Sequence, residues 1–133
     1  DSSEEIWSVD YPASGRCDMW LDPKHTHLDY KIKITGLDFG LVARGVPTTP
    51  DELDDVYGMH IHWGPKGTAG PVALGIANPN QDLDTKYSFN KKTNTWTITG
   101  RWSKNDPSVV DFDFNLANFL KEGYNYLNLH NDR

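Results

Sequence analysis

The sequence has a single cysteine, Cys17, only two methionines, and no apolar run approaching the roughly 20 residues that a membrane-spanning helix needs. Cys17 therefore cannot close an internal disulfide, and the fold must rest on its core. No membrane insertion is expected. Lysine and arginine are few and scattered, 13 against 19 Asp and Glu, and the formal net charge is -6. Without a basic run, a nucleic-acid partner is not expected, because phosphate binding is driven by clustered Lys and Arg. An acidic surface does attract cations. There is no Asn-x-Ser/Thr sequon, internal repeat or low-complexity tract. Gly64-Pro65-Lys66-Gly67 lacks the Lys-Ser/Thr ending of a phosphate loop, and no Gly-x-Ser-x-Gly elbow occurs.

The chain does contain aromatic core material, with 5 Trp, 6 Tyr and 5 Phe in 133 residues, enough for one domain. Residues 1–14 read as a polar arm with a short strand near Ile6 to Val9, and residues 15–133 read as a single domain. His27 to Thr35 alternates strictly, with Leu28, Tyr30, Ile32 and Ile34 on one face and Asp29, Lys31 and Lys33 on the other. Residues 40–56 carry Gly40, Gly45, Pro47, Pro50 and the acidic run Asp51 to Asp55, which predicts a long loop and a solvated charge run. Strands are expected at Tyr57 to Trp63, Val72 to Ile76 and Tyr126 to His130, with a hairpin over 86–102. One short helix is expected between Asp113 and Glu122, with Gly123 as its C-terminal cap. Short strands, frequent turns and one brief helix predict an all-β antiparallel Greek-key sandwich or barrel. Trp20, Trp63, Trp96 and Trp102 are expected in its core.

The feature that carries chemistry is His60-Ile61-His62. Residues two apart on a strand share a face, with Cα atoms roughly 6 to 7 Å apart, so two imidazoles can converge on one metal ion. A third donor must come from another strand, and His130, outward on the last one, is the expected ligand. His25 and His27 repeat the spacing and are expected as a separate site or as outer contributors. The competing reading for each pair is a polar residue facing water. Imidazole donors without a clear thiolate suit copper(II), with zinc as the alternative, since the intrinsic affinity order favours copper. Cys17 and Met19 could serve copper(I), but a lone buried thiol is the commoner use. The acidic loop lacks the spacing and central glycine of an EF-hand.

Three blocks then show a family resemblance. Tyr30-Lys-Ile-Lys-Ile-Thr-Gly-Leu37, His60-Ile-His62 with Gly64-Pro65 and Gly70-Pro71-Val72, and Leu120 to Gly123 with Tyr126-Leu-Asn-Leu-His130 together resemble the CHRD domain. The resemblance spans most of residues 15–130 and implies an exported β-sandwich. Two departures stand out. Trp63 separates His62 from Gly64, and Asn131-Asp132-Arg133 stand where CHRD domains usually begin a further strand, leaving sheet closure open at that edge. The His-x-His strand is also similar to that of copper-zinc superoxide dismutase. However, no histidine lies between His62 and His130 to bridge a second metal, so dismutase activity is not expected. The likeness of His60-Ile-His62-Trp63-Gly64 to α-type carbonic anhydrases fails for want of a third histidine about two dozen residues on.

These readings lead to a secreted or periplasmic metal-binding domain, non-enzymatic, that captures, stores or delivers copper or zinc. Asp1 as first residue suits signal-peptide removal and equally suits an arbitrary cut. A metal-free module that binds a protein partner and a small copper redox enzyme are the alternatives.

Overall fold

The computed structural model describes residues 13–65, 70–123 and 125–131, without the side chains of Phe119 and Asn131. The expected strand at Ile6 to Val9 lies outside the described residues. The elements in chain order are β1 (Ser14–Leu21), β2 (His27–Thr35), α1 (Gly40–Arg44), β3 (Val56–Trp63), β4 (Val72–Ala77), β5 (Lys86–Asn90), β6 (Thr95–Ser103), α2 (Phe114–Lys121) and β7 (Asn125–Asn131). They form two antiparallel sheets, β1-β2-β6-β5 and β4-β3-β7, packed as an all-β sandwich. The chain passes between the sheets after β2, β4 and β6, so β6 lies beside β2 and β7 beside β3 despite their distance in sequence.

The alternating side chains of β2 set the core. Leu28, Tyr30, Ile32 and Ile34 are buried, and Trp96, Ile98 and Trp102 of β6 oppose them. Met59 and Ile61 of β3 and Leu74 and Ile76 of β4 fill the space from the other sheet. Gly100 stands in register with Tyr30, whose hydroxyl donates to Asp82 Oδ2. A Cβ at Gly100 would overlap both of those groups, so the glycine makes room for this cross-link between β2 and the 82–85 loop.

The segment read as a long loop is more ordered than expected. Gly40–Arg44 forms α1 and Glu52–Asp54 a 3-10 turn. Buried Asp38 holds the segment by accepting from the backbone N–H of Gly40 (2.8 Å), Thr48 (2.6 Å) and Thr49 (2.8 Å) and from the Thr48 hydroxyl (2.6 Å). Burial would raise its carboxyl, but these donors outweigh it and hold Asp38 below the usual carboxylate range. The solvated charge run is likewise corrected, because Asp54 and Asp55 are buried. The Thr49 hydroxyl compensates Asp54 at 2.8 Å, while burial leaves that carboxyl above its usual range.

Helix α2 matches its expected place. Asp113 caps it by accepting from Leu116 N at 2.8 Å, Leu116, Ala117 and Leu120 are buried, and Gly123 adopts the left-handed φ of 82°. Of the tryptophans, Trp96 and Trp102 are buried and Trp63 packs against the core, but Trp20 is 55% exposed. Its parity is the reason. Cys17, Met19 and Leu21 take the inward positions of β1, which leaves Trp20 on the outer face opposite Asp29.

Replacing Gly100 by Ala is expected to cost about 3 kcal/mol, as overpacking of a filled interior does. Urea unfolding of the variant measures it. A midpoint unchanged from wild type would mean that Tyr30 and Asp82 do not need the space.

Candidate metal centre

Burial of Met59 and Ile61 forces the intervening positions of β3 outward, so Gly58, His60 and His62 share the outer face of the three-stranded sheet. β7 lies alongside in register, His130 opposite Gly58, Asn128 opposite His60 and Tyr126 opposite His62. Opposed residues project to the same side. The structure thus brings His60, His62 and His130 together. Their ring centroids are 6.0 Å apart for His60 and His62 and 5.1 Å for His60 and His130. Gly58 keeps the slot open, since a Cβ there would stand 3.3 Å from His60 Cε1 and 3.5 Å from His130 Cδ2. Tyr126 lies almost parallel to His62, 13° between planes and 5.0 Å between centroids.

Two loops orient the β3 rings. The 78–81 loop folds back on β4 at Gly75, whose backbone N–H and C=O pair with Gln81 at 2.8 and 2.9 Å. A Cβ at Gly75 would press to 2.5 Å from Pro79 O, so the close return needs glycine. It places Asn78 O 3.0 Å from His60 Nε2. At the other end Gly70 O lies 2.8 Å from His62 Nδ1, and Gly70 N donates to Tyr126 Oη at 2.8 Å. A carbonyl can only accept, so in the neutral rings His60 carries its proton on Nε2 and His62 on Nδ1. The lone pairs fall on His60 Nδ1 and His62 Nε2, and both atoms are buried without a hydrogen-bond partner. A buried polar atom left unpartnered calls for an explanation, and a ligand is one.

The exposed His130 completes the cluster at the sheet edge. Partial loss of solvent around its ring, followed by the neighbouring His60 and His62, holds its pKa below the ordinary imidazole range. Its nitrogen lone pair is therefore available at neutral pH. Among the described residues, the groups of three whose donor atoms fall within 4.8 Å of one another are the carboxylate sets Asp38, Asp54, Asp55 and Asp82, Asp84, Asp106, so the three imidazoles stand wider. Asp38, Asp82 and Asp106 spend their oxygens on backbone N–H groups and on the hydroxyls of Thr48 and Tyr30, which marks them as anchors of the fold. Drawing all three rings onto one ion requires a side-chain rotation, and exposed His130 on edge strand β7 has the room.

The second histidine pair is elsewhere. His27 alternates with buried Leu28 and faces outward from the four-stranded sheet, and His25 sits in the β1–β2 turn stacked on Phe114 at 5.5 Å. The whole core separates them from His60 and His62, so the expected outer contribution of His25 or His27 to this centre is corrected. Cys17 and Met19 point into the core from β1, and burial pushes the Cys17 thiol up to about 11, leaving no thiolate to offer.

Sequence reasoning missed Gly58, Tyr126 and the carbonyls of Gly70 and Asn78. The parity of Tyr126 with His130 was a usable signal for the first strand neighbour, but the carbonyls depend on loop paths that carry no periodicity.

A model of the CHRD domain family matches residues 1–133, the whole chain, and the protein belongs to that family. The match defines an extracellular-type β-sandwich module. No curated protein and no solved structure matches the chain.

The two β3 imidazoles are expected to be opposite tautomers at neutral pH, His60 protonated at Nε2 and His62 at Nδ1. Long-range 1H–15N NMR of the metal-free protein reads this directly. Identical tautomers would break the proposed arrangement of lone pairs.

Proposed function

We propose that this CHRD domain captures a divalent transition metal, copper(II) in preference to zinc(II), through His60 Nδ1, His62 Nε2 and His130. The observation that carries the reading is the pair of buried, unpartnered imidazole nitrogens, each on a ring whose other nitrogen is tied to a backbone carbonyl. Such outer hydrogen bonds fix the tautomer and raise the basicity of the ligating nitrogen. All-imidazole donors suit both metals, and the affinity order at a given nitrogen site places copper(II) above zinc(II). We place its action in a secreted or periplasmic setting, as storage or delivery without catalysis. No helix among the described residues is long and apolar enough to cross a membrane.

Calorimetric titration with copper(II) and zinc(II) tests the reading against the double variant His60→Ala/His62→Ala, whose outward positions leave the core intact. The wild type is expected to bind at least about 100-fold more tightly, with copper above zinc. Equal affinities would sink the proposal. Copper-loaded protein supplied with superoxide or peroxide is expected to show no turnover, and turnover would assign a redox enzyme to the same site.

Acid acts on the centre in two ways. An imidazolium cannot ligate, so bound metal is expected to be released as pH falls through the histidine range, about 7 to 5. In the metal-free protein the lowered pKa of His130 means that the unfolded chain binds more protons, so stability rises with pH across this window. His130's contribution is present above the ordinary imidazole value and lost as pH falls through the lowered one. Thermal melts from pH 7.5 to 5 should therefore show wild type losing stability relative to His130→Gln as pH falls. Parallel curves would remove His130 from the linkage.

A further inference from the structure

The outer face of the four-stranded sheet, remote from the histidines, gathers cations that the linear sequence scatters. Register places Arg16 beside Lys33 and Thr97, Asp18 beside Lys31 and Thr99, Trp20 beside Asp29 and Arg101, and Lys86 beside Thr99. Arg16, Lys31, Lys33, Lys86 and Arg101 thus face solvent against Asp18 and Asp29, with Asp22 and exposed Asp84 also near Arg101, on a chain whose net charge is -6. The two carboxylates are already engaged, Asp18 with Arg16 at 2.9 Å and Asp29 with Arg101 at 2.7 Å. Lys31, Lys33 and Lys86 have no ion-pair partner among the described residues.

The spacing of these lysines follows from the sheet. Lys31 and Lys86 flank Thr99 from the strands on either side, roughly 10 Å apart, and Lys33 lies one outward step from Lys31, roughly 7 Å. Hydroxyls of Thr35, Thr95, Thr97, Thr99 and Ser88 fill the ground between and beside them. At one end the face runs into a cleft of about 510 Å³, to which Lys24 and Lys104 add cations beside Arg101 and Asp113 adds a carboxylate.

We propose that this face binds an anionic polysaccharide, its carboxylate or sulfate groups on Lys31, Lys33 and Lys86 and a sugar ring against Trp20. Charge complementarity selects a polyanion. A protein partner would want an apolar centre to its interface, whereas Trp20 is the one exposed large apolar side chain on this face among the described residues. A row of hydroxyls beside lysines and an open indole suits sugar hydroxyls and the apolar face of a pyranose. The site is independent of the metal centre, because the core lies between them.

Heparin and polygalacturonate serve as probes, with neutral dextran and duplex DNA as comparisons, all with metal-free protein in low salt. Lys31→Thr/Lys33→Thr keeps good strand formers and removes two face charges, while Arg44→Gln/Lys121→Gln removes two charges on the helices α1 and α2. Wild type is expected to bind at least one anionic polysaccharide, not dextran, and to lose at least about tenfold in the face variant, with a shallower dependence on salt. Trp20→Ala is expected to weaken binding without changing that salt dependence, and His60→Ala/His62→Ala to leave it untouched. The proposal is overturned if neither polysaccharide binds, if the control variant loses as much as the face variant, if Trp20→Ala binds as wild type does, or if duplex DNA binds more tightly than both polysaccharides.

Discussion

Burial of Met59 and Ile61 between the two sheets is the constraint on which the candidate centre depends. Alternation has a period of two, so placing those side chains in the core compels Gly58, His60 and His62 to the opposite side. A slip of one residue would bury two imidazoles and expose the core. The cost of that slip fixes the register of β3 against β7, and the register delivers His130 to the same face. The histidines are brought together by hydrophobic packing, and no attraction between them is needed.

The centre's finer organisation comes from backbone close approach. Gly75 and Gly70 let two loops pass near enough for carbonyls to reach the rings. The gain is directional: each ring donates one proton to a fixed oxygen, so the other nitrogen is left as an acceptor with nothing to accept. Asn78 adopts a left-handed φ of 51° next to the carbonyl that holds His60, and asparagine tolerates that region better than most residues.

Strand parity was legible in the sequence because it is written in the side chains themselves. His27 to Thr35 and Tyr57 to Trp63 alternate, and the structure follows them within a residue. Helix α2 was legible through Asp113 and Gly123, whose chemistry marks its ends. The order of Asp38 to Asp55 was not, since it depends on one buried carboxylate collecting N–H groups 10 and 11 residues away. Nor was β1, whose inward set of Cys17, Met19 and Leu21 is too soft a pattern beside exposed Trp20. The separation of His25 and His27 from His60 and His62 required knowing which sheet each strand joins, and spacing within a strand carries no such information.

The distribution of charge follows from the same geometry. Several of the chain's carboxylates are buried in the fold, Asp38 and Asp106 on backbone N–H groups and Asp82 on Tyr30, so they are withdrawn from the surface that partners meet. The lysines of β2 and β5 cannot be withdrawn, since their parity is fixed by Ile32, Ile34, Tyr87 and Phe89 on the inward side. A chain that is acidic in sum can therefore present one cationic sheet face and, across about 10 Å of packed core, an imidazole face with unspent lone pairs. At that separation, with the outer charges facing water, ligands on the two faces interact only through screened fields. The sandwich thereby keeps two kinds of recognition apart without needing two domains.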